Sequence, residues 1–245
     1  MSGEAIGFRR IRLMVGSSGE AEILANALRQ LGSAFEAELT GFFVDELTGA
    51  SRLPVANFVS FTGEALEIGP EEVERTLRRE VSSCVRIFKT GLGGRTVRWT
   101  SQASTGQASG EETGREIIAV APGRIVAGRL PTRSLSRAFA AGNAILLVPA
   151  ARAAASGDVV LSSTDAAPSA VAMALAHRVA AATGVDVATR PVGSSVAQAL
   201  SDASAGGLHI VELLPDEMDE GLIDRLMSRL RVPVLLLKRA SAAKA

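Results

Sequence analysis

The residues best suited to chemistry lie in one Gly- and Arg-rich segment, GRIVAGRLPTRSLSR, which follows the apolar run REIIAVAP. The segment offers two glycines, four arginines, and two serines at the start of a predicted helix. The candidate site residues among them are Gly123, Arg124, Gly128, Arg129, Ser134 and Ser136. Backbone N–H groups at a helix start, together with guanidinium groups, can hold a phosphate or another anion. The segment is therefore a candidate anion site, and the alternative is a surface turn with solvated arginines.

The second half of the chain has carboxylates at the matching positions. They are Asp165, Glu212, Asp216 and Glu217. Paired carboxylates can do acid–base work or bind a hard cation, but they repel a phosphate. Asp165 has a further interpretation as a helix N-cap. We therefore expect any anion to bind in the first half.

An enzymatic role is uncertain, and the sequence favours a protein that is not an enzyme. It contains no nucleophile–base pair and no Walker loop. His177 and His209 lie in a predicted helix and strand, and neither has a carboxylate or cysteine at metal-ligand spacing. No metal site is predicted.

The elements that must position these residues occur as a doubled pattern. Residues 115–149 and 208–239 each contain an apolar strand closed by proline, a helical segment and a second apolar strand. Apolar runs without alternation indicate strands covered on both faces, and two of them joined by a helix form a βαβ unit. The fold class is therefore α/β, with two tandem doubly wound parallel-sheet domains at residues 10–150 and 157–239.

The second domain is predicted to be truncated. The offset between matching positions falls from 148 residues at Ile11 and Val159 to 93 at Ile117 and Ile210. About 55 residues, enough for a loop and a strand–helix unit, are therefore missing before its last βαβ unit. We expect residues 144–149 and 232–238 to be the last strands of two sheets that pack near each other.

A second glycine-containing turn is predicted to lie beside the candidate anion site. IRLMV is read as a strand, and Gly16, Ser17 and Ser18 follow it directly. In open α/β sheets, ligands bind beyond the carboxyl ends of the strands, at the switch point between the first and fourth. This rule places Gly16, Ser17 and Ser18 close to the segment 123–137.

Composition excludes several classes of partner. The chain has 26 basic and 26 acidic side chains, so no basic surface for nucleic acid is expected. The single cysteine, Cys84, rules out an intramolecular disulfide and suggests a buried thiol. No apolar run is long enough for a signal peptide or a membrane span, so a cytoplasmic location is expected.

The pattern resembles the universal stress protein family, in its tandem form. The resemblance rests on the last strands AILLVP and PVLLLK and on the first junctions VGSSGEAEILANAL and SSTDAAPSAVAMAL. It implies a stress-response module whose two halves pair as an internal pseudo-dimer, with a homodimer as a further possibility. It also implies an ATP or AMP site, to which Val44 after the second strand would belong.

The family's nucleotide motifs are incomplete in both halves. Gly16-Ser17-Ser18 stands where nucleotide-binding members have an aspartate, whereas the second half keeps Asp165. The family's G-x2-G-x9-G-[ST] motif is not matched, because Gly123 and Gly128 are spaced differently and no Gly-Ser pair follows. Three hypotheses remain open: a binding or regulatory module that senses a small anion or a partner, a scaffold that has lost ligand binding and acts through protein contacts, and a nucleotide-hydrolysing stress protein.

Overall fold

The computed structural model describes residues 8–31, 34–35, 37–43, 57–59, 65–67, 70–100, 116–121, 132–149, 157–163, 167–191, 207–218 and 220–239. The strands are β1 Arg10–Val15, β2 Glu38–Phe43, β3 Asn57–Val59, β4 Ala65–Glu67, β5 Val97–Thr100, β6 Glu116–Val120, β7 Ala144–Leu147, β8 Val159–Ser163, β9 Val187–Pro191, β10 Leu208–Leu213 and β11 Val234–Lys238. The helices are α1 Ser18–Leu31, α2 Pro70–Gly91, α3 Thr132–Ala140, α4 Ala170–Thr183 and α5 Glu220–Arg229, with a 3-10 turn at Pro215–Glu217.

Nine of these strands form one sheet, in the order β5-β2-β1-β6-β7-β11-β10-β8-β9. Neighbours run parallel everywhere except at β7 and β11, which are antiparallel, with Ile145 opposite Leu236. The predicted α/β fold with a parallel sheet is therefore confirmed. The expectation of two separate sheets is wrong, because the two apolar last strands hydrogen-bond to each other and so leave neither edge open.

The sheet is covered on both faces at its centre, as the unbroken apolar runs predicted. Side chains alternate along β6, so Ile117 and Ala119 face the core under α1, α2 and α4. Ile118 and Val120 face the second core, under α3 and α5. This central burial fixes the register and holds the carboxyl ends of the strands in place.

One face of the sheet is charged near β1 rather than apolar. Arg10 lies 2.9 Å from Glu116 and 3.9 Å from Glu38, and Arg12 lies 2.7 Å from Glu116. Ion pairing across the strands therefore takes the place of apolar packing there.

The sequence of the first half indicated its edge strand but not its β-hairpin. Residues 95–101, RTVRWTS, alternate apolar and polar side chains, which predicts an edge strand. This prediction is confirmed, since β5 ends the sheet. Trp99 on that strand packs against Gly41 and tilts over Phe88. Residues 46–70 carry Gly, Ser and Pro without a periodic pattern, which predicts an irregular segment. They contain an antiparallel pair, β3 with β4, which the sequence did not indicate. In the described part of the chain, no helix is long and apolar enough to cross a membrane.

Candidate functional site

The turn between β1 and α1 has its backbone N–H groups directed at carboxylates of the same chain. The Gly16 N–H donates to Oε2 of Glu20 at 2.9 Å. The Ser18 N–H donates to Oε2 of Glu80 at 3.0 Å. The Ser17 hydroxyl accepts from the Glu20 N–H at 3.3 Å and so caps the start of α1. Two of the N–H groups expected to face an anion are therefore already bonded to internal anions.

Glu80 reaches this turn because α2 packs tightly along α1. At Gly91 the helices are so close that an added Cβ would lie 3.1 Å from the Ala25 methyl group. Cys84 and Phe88 of α2 are fully buried in the same core as α1, which confirms the burial predicted for the thiol. The helical periodicity of α2 predicts that Glu80 lies on its solvated side. That prediction is wrong, because Glu80 is half-buried and its carboxylate accepts the Ser18 N–H at the start of α1.

The second half repeats this arrangement with different residues. Glu212, near the end of β10, is 2 % exposed. Its Oε2 accepts the Ser169 N–H at 2.9 Å, and its Oε1 accepts the Ser169 hydroxyl. The Ser169 hydroxyl in turn accepts the Ala172 N–H at 3.2 Å, so Ser169 is the N-cap of α4. The cap position considered for Asp165 therefore belongs to Ser169.

The other groups at this end of β10 are also hydrogen-bonded internally. The Arg239 guanidinium donates to the Ser163 hydroxyl at 2.9 Å and to the Ala167 carbonyl at 3.4 Å. Glu217 accepts the Leu214 N–H at 2.6 Å, while Asp216 is exposed. Arg239 was not anticipated, and its charge makes this end of the sheet less acidic than the sequence indicated. Glu212 and Glu217 thus serve as acceptors for backbone N–H groups.

The remaining predicted site residues lie mostly outside the described ranges. These are Val44, Gly123, Arg124, Gly128, Arg129 and Asp165. Ser134 falls within α3, and its side chain is not described. Ser136 is half-buried, and its Oγ has no hydrogen-bond partner among the described residues. The anion site at residues 123–137 therefore stays a prediction.

Neither histidine joins this end of the sheet. His177 is exposed on α4. His209 is 2 % exposed, and its Nε2 has no hydrogen-bond partner among the described residues. Burial, and secondarily the positive charge of Arg190, lower the pKa of His209 from 6.5 to about 4. The described ranges contain no cluster of three His, Cys, Asp or Glu side chains that could hold a metal.

Comparisons with known proteins bear on the fold. No family model and no curated protein matches the sequence. A universal stress protein from Archaeoglobus fulgidus DSM 4304 has a similar structure, with a TM-score of 0.57, 11% identity, and coverage of 96% of this chain and 99% of that one. A functionally unknown protein from Pseudomonas aeruginosa PAO1 is similar at a TM-score of 0.53 and 13% identity, covering 97% and 95% of the two chains. The chain therefore has the fold of a universal stress protein structure.

Proposed function

We propose that this protein is a universal-stress-protein-like regulatory module of the stress response that acts through protein contacts and does not use ATP. It consists of two tandem units, residues 10–150 and 157–239, and the second unit is shortened. The two units form an internal pseudo-dimer through β7 and β11.

The order of the strands supports this division. Outward from the β7–β11 boundary, one side reads β7, β6, β1, β2, β5, and the other reads β11, β10, β8, β9. The two series match strand for strand until the second one ends. Among the described residues no strand follows β9 in this series, which agrees with the loss of a strand–helix unit that the sequence offsets predict. The antiparallel pairing at the boundary is what a twofold relation between the units requires.

The observation that carries the proposal is that backbone N–H groups following the first strand of each unit are hydrogen-bonded to carboxylates of the chain. Gly16 and Ser18 donate to Glu20 and Glu80 in the first unit, and Ser169 donates to Glu212 in the second. A hydrogen bond to a charged group is worth about 1.5–3 kcal/mol. A phosphate would have to displace these carboxylates and then lie beside their negative charges. Both effects oppose nucleotide binding at these turns.

Calorimetric titration with ATP, AMP and pyrophosphate tests the proposal. We expect no ATP binding to the wild type, and micromolar ATP binding would refute the proposed function. Glu80→Gln removes one competing charge at the first turn, and Glu72→Gln, on the exposed start of the same helix, is the matched control. If carboxylates block the turn, any gain of pyrophosphate binding should occur in Glu80→Gln and not in Glu72→Gln.

The anion site at residues 123–137 has a separate test, because it does not require ATP. The Arg124→Ala/Arg129→Ala double variant removes two of its predicted positive charges. Pyrophosphate binding by the wild type that this variant loses would support a small-anion ligand in the first unit. Absence of pyrophosphate binding in the wild type would favour a scaffold that has no ligand there.

A further inference from the structure

The outer face of α2 presents a row of positive side chains. One open groove on its surface is lined by four arginines and two serines: Arg75, Arg78, Arg79, Ser82, Ser83 and Arg86. We call these six residues the arginine groove. All four arginines are exposed, while Cys84 and Phe88 on the opposite side of the helix are fully buried. The groove therefore faces away from the core and is open to a partner.

The charge of the arginine groove is poorly compensated. Within the described part of the chain, Arg78 forms an exposed ion pair with Glu74 at 2.5 Å. No described carboxylate lies within ion-pair distance of Arg75, Arg79 or Arg86. At i,i+4 spacing α2 offers Glu71 to Arg75 and Glu74 to Arg78, but it offers no acid to Arg79 or Arg86.

The position of Glu80 in α2 explains why it does not pair with these arginines. Glu80 is the last acidic residue of α2, and the remaining residues up to Gly91 carry only positive charges, on Arg86 and Lys89. Its carboxylate is committed to the Ser18 N–H of α1. Glu80 is also neither three nor four residues from Arg75, Arg79 or Arg86, so it is not placed to form an ion pair with them along the helix.

We propose that the arginine groove binds an acidic peptide segment of a partner protein. This inference rests on the proposed function, because it names the kind of partner that a protein-contact module would engage. Arg75 and Arg86 are separated by about 16 Å of helix. An extended peptide of roughly five residues spans the same length, and guanidinium groups bind carboxylates through paired hydrogen bonds.

A peptide fits the arginine groove better than a nucleic acid does. The whole chain has equal numbers of acidic and basic side chains. Binding of nucleic acid draws on many phosphate contacts over a broad basic surface. A row of four arginines on a single helix, with Glu71, Glu72 and Glu74 at its start, offers only a short positive strip. That strip matches a short run of carboxylates.

Fluorescence anisotropy tests the proposal with a labelled peptide of about eight residues, long enough to span the groove, that alternates Glu and Ser. A peptide with Gln in place of Glu controls for charge, and single-stranded oligothymidylate of similar length tests for nucleic acid. The variant is Arg75→Gln/Arg79→Gln/Arg86→Gln. The matched control, Arg178→Gln/Arg190→Gln/Arg231→Gln, removes the same charge from exposed positions elsewhere. Circular dichroism confirms that both variants fold.

The wild type should bind the Glu peptide and not the Gln peptide, and added salt should weaken that binding. The groove variant should lose at least about tenfold in affinity, while the control changes less than about twofold. No binding of the Glu peptide by the wild type, or equal losses in both variants, overturns the proposal. Tighter binding of oligothymidylate that the groove variant loses also overturns it, in favour of a nucleic-acid surface. ATP titration of the same samples tests the proposed function separately, since ATP binding would refute that function whatever the peptide does.

Discussion

Replacing Leu236 with Asp should destabilise the protein more than most single substitutions. Leu236 is fully buried in the middle of β11, with Ile145 of β7 on one side and Val211 of β10 on the other. Loss of a buried leucine side chain costs about 2–5 kcal/mol. A carboxyl group without a partner in the same space adds about 1–3 kcal/mol even when it is protonated.

The expected loss is therefore about 5 kcal/mol, a large part of the 5–15 kcal/mol typical of a folded domain. For a chain of this size, each kcal/mol lowers the melting temperature by about 2–4 °C. Thermal unfolding followed by circular dichroism should show a decrease of roughly 10–20 °C, if the variant folds at all. The melting temperature of Leu236→Ala should lie between those of Leu236→Asp and the wild type, because this substitution leaves a cavity but introduces no carboxyl group.

Val171→Asp is the control for adding an acid. Val171 is 40% exposed at the start of α4, where the helix dipole favours a negative charge. This substitution should change the melting temperature by no more than about 2 °C. If Leu236→Asp also melts within about 2 °C of the wild type, the continuous sheet across β7 and β11 is wrong.

Two further predictions concern buried positions away from this boundary. Burial depresses the pKa of His209 from 6.5 to about 4. Below pH 6.5 the unfolded chain therefore takes up a proton at His209 that the folded chain does not, so the free energy of unfolding is highest above pH 6.5 and decreases as the pH falls towards 4. Denaturant unfolding should show that His209 makes the free energy of unfolding about 2 kcal/mol lower at pH 5 than at pH 7. His209→Gln should reduce this difference, and His177→Gln should not. An unchanged difference in His209→Gln would contradict the depressed pKa of His209. Gly41→Ala should destabilise the protein by about 1–3 kcal/mol, because an added Cβ would lie 2.6 Å from the ring of Trp99, and it should alter the Trp99 fluorescence. Gly19→Ala, in α1 with nothing within 4 Å of an added Cβ, should instead stabilise by about 0.5–1 kcal/mol, and equal effects of the two substitutions would contradict the packing.

The sequence alone determined the fold class and the main strands of the sheet. Apolar runs without alternation identified β6 and β7, and again β10 and β11, as strands buried on both faces. A strand of this kind has no face in contact with solvent and therefore needs no polar side chains. The alternation of apolar and polar residues in RTVRWTS identified β5 as an edge strand, because a half-covered strand has one face in contact with solvent. The hairpin of β3 and β4 was missed, since its short strands lie among Gly, Ser and Pro residues that give no periodic signal.

Only the tertiary structure decided which groups meet at the ends of the strands. Ser18 and Glu80 are 62 residues apart, and Ser169 and Glu212 are 43 apart. Periodicity shows which face of a helix is polar, but it does not show which neighbouring element that face touches. The packing of α2 on α1 turned Glu80 from a solvated residue into a helix cap. No pattern within α2 itself carries that information.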